Sequence, residues 1–343
     1  MSFFRLFANL SRRTRSRDRR IPRHEGESVL FTILNILAPI FLVIALGWGL
    51  TRAGFLSPQA LQDINRLTYW VGLPSAMFHR IAAASPEIGA VADLLLVGWG
   101  ATLLAIAIAA GTARLLRMPA TSHGTFIQGV FRGNLAFIGL PVVLYAFAAA
   151  GESSGEAEVT ALLALGPMMM LYNVMAVLVL LFPGNHAHRG GGLAWTVVKG
   201  LLTNPILLSC VAGLAMSLSG VALPSTAQRT LSVIGQMALP LALICIGGTL
   251  HTTRIQGSLG WAVGGALMKV AMVPAIGMLL AWWVGLSADH TRIVMILLAC
   301  PTASVSYVLV RQLRGDEALA SSIVVLANVL AVPAMVVVLA LTA

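Results

Sequence analysis

From residue 29 onward the chain alternates long apolar stretches with short polar ones. The apolar stretches run near 29–50, 60–84, 91–116, 121–149, 158–182, 193–219, 228–250, 257–284, 289–311 and 317–341. Each supplies roughly 20 apolar residues, the length an α-helix needs to cross ~30 Å of hydrocarbon. None carries the broad charged face of a helix that lies on a water-soluble core. The pattern predicts an all-α membrane protein with about ten transmembrane helices, multi-pass in the inner (plasma) membrane.

The polar connection Pro183–Gly192, PGNHAHRGGG, follows the fifth stretch. It separates a first five-helix unit, 29–182, from a second, 193–343, and leaves 1–28 as a tail. Leu73-Pro74 and Leu239-Pro240 stand 166 residues apart, and the same offset carries His123 to Asp289 and Asn134 to Cys300, beside Pro301. Irregular points thus recur at matching places in the two halves. Five helices is an odd number, so a second copy enters the membrane with opposite orientation. These are the marks of an inverted repeat.

Composition agrees with the pattern. Hydrophobic residues form 58% of the 343 and charged residues 10%, against roughly 45–50% and 25% in soluble domains. Mean hydropathy is +0.89. The formal charge of +10 needs dissection. Arg5, Arg12, Arg13, Arg15, Arg17, Arg19, Arg20 and Arg23 all fall in 1–28 with Asp18, Glu25 and Glu27, so half of the excess is in the tail. No nucleic-acid-binding module follows the tail, and nucleic acid is not expected as a partner. The lipid bilayer is. Cys210, Cys245 and Cys300 lie far apart in apolar stretches, which predicts neither a disulfide nor a zinc site. No cofactor motif is present, and a homodimer stays open.

Arginines near the loops set the orientation. One side of a ten-span chain receives Arg52, Arg114, Arg117, Arg189, Arg254, Arg311 and Arg314; the other receives Arg80, Arg229 and Arg292 with Glu152, Glu156 and Glu158. The positive-inside rule places the first side in the cytoplasm and both termini outside it. The arginine-rich tail argues the reverse. Translation beginning at Val29 or Leu30 from a non-AUG codon would remove the conflict; a cytoplasmic, disordered basic arm is the alternative.

Two stretches break the helical rule. The fourth reads HGTFIQGVFRGNLAFIGLPVVLYAF and carries Gly133, Asn134, Gly139 and Pro141. The ninth reads LLACPTASVSYVLV, with Cys300, Pro301, Thr302, Ser304 and Ser306 together. Proline removes a backbone donor and collides with the preceding turn. Broken backbone at membrane depth survives only where it is buried or lines a wet cavity. Two such helices crossing in mid-bilayer would aim half-helix N-termini, with their unpaired N–H groups and partial positive charge, at one spot suited to a carboxylate.

GNLAFIGLPVV resembles the fourth-helix signature of the auxin efflux carrier family, an Asn-x-x-Phe-x-Gly-x-Pro pattern that falls here on Asn134, Phe137, Gly139 and Pro141. LNILAPIFLVIALGWGLTRAGFL resembles the family's first helix. NRLTYWVGLPSAMF, TNPILLSCVAGL and ALPLALICIGGTL resemble its second, sixth and seventh, and CPTASVSYVLVRQLRGDEALASSIVVLANVLAVPAM its last two. The resemblance covers nearly everything from Val29. It implies ten helices in two inverted repeats, with broken fourth and ninth helices that cross, and a carrier of carboxylic acids, including auxin in plants and malonate or related acids in bacteria. It implies that Asn134 is a polar contact at the crossing, with Pro141 and Pro301 at the breaks. Cys300 stands where the repeat offset would place a second asparagine. The connection after the fifth helix lacks the long hydrophilic insert of many plant members.

The candidate substrate-binding set is therefore Arg132, Gly133, Asn134, Gly139, Pro141, Cys300, Pro301, Thr302 and Ser304, with a small organic acid as partner. Arg132, in mid-span, costs at least ~2.5–3.5 kcal/mol unless it faces protein or water; it either attracts an anion or holds carbonyls freed by the break. Lys269 poses the same choice. His79 and Arg80 fit the membrane interface. Met168–Met170 fit packing, with a flexible apolar cavity wall as the alternative, and Tyr172 and Asn173 fit helix–helix hydrogen bonding. No Asp or Glu falls in the middle of a stretch, which argues against coupling through buried carboxylates. No His-Glu-x-x-His, Gly-x-Ser-x-Gly or paired buried acids appear, so an enzyme is not expected. A membrane carrier moving a small carboxylate by alternating access is the expected function. A solute-binding receptor without transport, and a cation-coupled carboxylate symporter of related fold, are the alternatives.

Overall fold

A computed structural model describes residues 29–83, 88–149, 155–181, 203–221, 223–253 and 255–342. The tail 1–28 and the connection 183–192 lie outside them. The described chain is all-helical. It holds six helices long and apolar enough to cross a membrane, at 33–52, 91–115, 158–181, 225–252, 259–284 and 317–341.

The first span is α1, Val29–Arg52. The second is α2, Pro58–Leu67, and α3, Leu73–Ala82, joined through a π-helical turn at Thr68–Gly72. Next comes α4, Ile88–Leu115. In the fourth stretch α5, Ala120–Phe131, stops; after residues 132–134 a π turn, Leu135–Gly139, leads into α6, Leu140–Ala149. Then follow α7, Gly155–Leu181, α8, Pro205–Ser219, and α9, Ser225–Thr252. Helix α10, Leu259–Leu267, runs through the π turn Met268–Met272 into α11, Val273–Val284. In the ninth stretch α12, Ala288–Ala299, ends at Cys300, and α13, Val305–Gln312, begins after Ser304. The last helix is α14, Glu317–Leu341.

Local chemistry explains the boundaries. Ser57, Asn204, Ser287 and Asp316 each accept a backbone N–H of the helix they precede, and Pro58 and Pro205 occupy first-turn positions where no donor is needed. Each of the three π turns closes two residues before a proline: Gly72 before Pro74, Gly139 before Pro141, Met272 before Pro274. Proline makes no i→i−4 bond and crowds the carbonyl four residues back. The helix widens ahead of it, and Leu73, Leu140 and Val273 donate instead five residues back, to Thr68, Leu135 and Met268.

The helices form two blocks. In one, α1 and α9 touch backbone to backbone. A Cβ on Gly47 would lie 2.2 Å from the Ile244 carbonyl oxygen, and one on Gly247 would lie 1.9 Å from that of Ile44. Small residues permit such approach where lipid supplies no hydrophobic drive between helices. Helices α3 and α8 complete this block, α3 lying against α8 and α9. The other block gathers α4, α5, α7, α10–α11, α12 and α14 around a core that includes Phe126, Phe131, Leu165, Leu298 and Ile323. Where the blocks meet, Arg80 of α3 pairs with Glu158 of α7, and the Cys210 thiol of α8 lies 3.8 Å from the Leu162 carbonyl oxygen.

Candidate functional site

The two interrupted stretches cross at their breaks. Gly133 and Thr302 form an antiparallel bridge. The Asn134 N–H donates to the Pro301 carbonyl at 2.8 Å, and the Ala303 N–H donates to the Arg132 carbonyl at 3.0 Å. Backbone freed from one helix is thus satisfied by the other, as hydrocarbon requires. Four helix ends converge here: the C-termini of α5 and α12, and the N-termini of the segments starting at Leu135 and Val305.

The C-terminal ends have side-chain partners. The Thr302 hydroxyl donates to the Gly129 carbonyl at 2.7 Å, and Lys269 Nζ donates to the Leu298 carbonyl at 2.9 Å. The Cys300 thiol lies 3.2 Å from the Ile296 carbonyl. The N-terminal ends remain open. In the fourth stretch the first helical bonds are those from Ile138 and Gly139 to the Asn134 carbonyl, both 3.1 Å. The N–H groups of Leu135, Ala136 and Phe137 precede them. Asn134 does not cap this turn with its side chain. In the ninth stretch Ser306 donates to the Ala303 carbonyl, so the amides of Ser304 and Val305 are in the same position.

These open ends face a cavity of about 1120 Å³. Arg132, Gly133, Asn134, Phe137, Ala303 and Ser304 line its inner end, and Arg66, Gln256, Arg311 and Glu317 line its outer part. Arg132 is 7% exposed. Its Nη2 donates to Asn173 Oδ1 at 2.8 Å, while its Nη1 is buried with no hydrogen-bond partner. Among the described residues no carboxylate pairs with Arg132 or Lys269.

A family profile described as "Membrane transport protein" matches residues 32–188 and 193–339. The chain belongs to this membrane transport family. A relative from Rhizobium meliloti (strain 1021), named "Putative malonate transporter", is 24% identical over 307 residues, covering 88% of this chain and 92% of the relative. Family and fold agree with the auxin efflux carrier resemblance: the chain is a multi-pass transport protein of the plasma membrane.

Not all of this transport protein's candidate residues face the cavity. Arg132, Gly133, Asn134 and Ser304 line it; Gly139, Pro141, Cys300, Pro301 and Thr302 are outside its lining. Cys300 is fully buried behind the crossing. The residue just ahead of the second half-helix, where Asn134 stands in the fourth stretch, is Ser304. The offset of 166 fails there because α5 and α12 end 168 residues apart, at Phe131 and Ala299, and the break that follows is longer in the ninth stretch, 300–304 against 132–134. The methionine run divides: Met168 is buried against Gly98, while Met169 lines the cavity. Asn173 makes the helix–helix bond expected of it and lines the cavity as well. The cavity wall formed by Gln62, Asn65, Arg66 and Tyr69 is new. Its spacing of i, i+3, i+4 and i+7 marks one face of a helix and was legible as a polar stripe in an apolar span.

Proposed function

We propose that the chain carries a small carboxylate across the membrane by alternating access. The proposed architecture is ten spans in two inverted five-helix repeats, 29–182 and 193–343, joined through 183–192. The observation that carries the reading is the inner end of the cavity, where open half-helix amides, the Asn134 amide and the unpartnered Nη1 of Arg132 come together, and where no acid among the described residues pairs with Arg132. N–H groups and a guanidinium recognise a carboxylate through charge-assisted hydrogen bonds. The relative named for malonate supports the same chemistry. The arginines at the outer part of the cavity, Arg66 and Arg311, lie toward the face assigned to the cytoplasm by the positive-inside rule. The described state is then open inward.

Reconstituted protein is expected to accumulate labelled malonate or a related acid in liposomes. Binding without flux would assign it instead to reception. Arg132→Gln is expected to raise KM for the acid about tenfold or more with a smaller change in turnover, since a charged hydrogen bond is lost from the bound state. Unchanged kinetics together with poor expression would make Arg132 structural.

The Arg80–Glu158 pair joins the two blocks at the end away from the cavity's outer arginines. Alternating access requires that contact to open. Cysteines at positions 80 and 158, joined by a short reducible cross-linker, are expected to stop flux, with reduction restoring it. The three native cysteines are buried and give little background. Undiminished flux in the cross-linked protein would show that the blocks do not separate there.

A further inference from the structure

The crossing presents an electrostatic problem to any anion. Helices α5 and α12 both end at it, and each C-terminus carries roughly half a negative charge. Unopposed, those ends would repel an anion held one residue further on, at Asn134 and Ser304. Lys269 stands where the opposing charge is needed. Its side chain is 0% exposed and its ammonium donates to the Leu298 carbonyl in the last turn of α12. It also reaches across to the other broken helix, since a Cβ added to Gly133 would lie 3.2 Å from Nζ. The π turn Met268–Met272 carries Lys269, and a hydrogen at position 133 leaves it room. Lys269 is absent from the cavity lining, so it acts on the substrate through the crossing.

We infer that Lys269 is a positioning residue, a tethered countercation that neutralises the two helix C-termini at the crossing, so that the site takes up its acid without a dissociable metal cation. This rests on the carboxylate reading for its transport consequence alone; the electrostatics of the crossing are independent of it. A fixed ammonium at the carbonyl ends both supplies the charge and repels a sodium ion from the same oxygens.

Two measurements on the full chain in detergent test the inference. The wild-type protein is expected to melt at the same temperature in sodium chloride and in choline chloride. A rise specific to sodium would overturn the inference, because a metal ion would then occupy the folded site. Lys269→Met keeps length and apolar stem but removes the charge. It is expected to melt lower than wild type in both salts and to take up labelled malonate about tenfold less, through weaker binding, while Lys269→Arg recovers most of both losses. An ammonium that is merely tolerated in the core would give the opposite sign, a methionine variant as stable as wild type or more so, and that result would also overturn the proposal. If the methionine variant fails to fold, the salt comparison and Lys269→Arg decide. If wild-type protein moves no carboxylate, the carboxylate reading falls while the melting comparisons still judge Lys269.

Discussion

An Asn134→Ala protein is expected to insert and purify like the native one and to take up the acid about 10- to 100-fold more slowly, the effect of losing a hydrogen bond to a charged group. The backbone of Asn134 is already committed, its N–H to the Pro301 carbonyl and its carbonyl to Ile138 and Gly139, and alanine preserves all three bonds. The side chain does none of this work. It is 5% exposed, lines the inner end of the cavity and leaves its own half-helix uncapped. A buried amide of that kind at a membrane's mid-depth is costly unless it meets a ligand or water. Uptake in liposomes, normalised to protein correctly inserted, measures the effect. Native rates would remove Asn134 from the binding site and leave Arg132 and the backbone amides as the whole of it.

A Gly247→Ala protein is expected to fail at an earlier stage, with most of the chain aggregated or melting well below wild type. The new Cβ would lie 1.9 Å from the Ile44 carbonyl oxygen and 2.7 Å from the Trp48 nitrogen. Both are backbone atoms of a helix that cannot rotate away as a side chain does. Helix α1 must move outward along its contact with α9, and the cost is at or above the ~1–3 kcal/mol of ordinary overpacking. Gly49→Ala is the matched control. It sits on α1, has nothing within 4 Å of an added Cβ, and gains up to about 1 kcal/mol of helix preference. Size-exclusion profiles and thermal unfolding in detergent compare the two. Equal behaviour would mean that the α1–α9 contact is looser than described. Because α1 and α9 belong to the block without the crossing, transport by surviving Gly247→Ala protein reports on how rigid that block must be.

Much of this molecule was legible in its residues. Apolar stretches of membrane length, the proline and glycine interruptions near 133–141 and at 301, and the absence of mid-span acids follow from one solvent, the bilayer, which penalises every exposed amide and every unpaired charge. Arg132 and Asn134 stood out for that reason. Less accessible was what each polar residue meets. Arg80 read as interfacial, yet it holds Glu158 on another helix. Lys269 read as either a lure for an anion or a holder of freed carbonyls, and the carbonyl it holds is that of Leu298, 29 residues away. No side-chain pattern encodes a carbonyl. The repeat offset pointed from Asn134 to Cys300, but the break in the ninth stretch is longer than that in the fourth, and Ser304 takes the position ahead of the second half-helix.

By itself the amino-acid sequence determined that the chain lives in a membrane as helices, and at which two places the helical rule breaks. It could do so because hydrophobic length and helix-breaking chemistry are local properties. Only the tertiary structure decided that the two breaks bond to each other through Gly133 and Thr302, that open amides and a guanidinium share one cavity, and that Lys269 bonds the carbonyl end of α12. Those are matters of distance between residues on different helices, set by the packing of helices that lipid leaves free to choose their neighbours until close contact and satisfied hydrogen bonds choose for them.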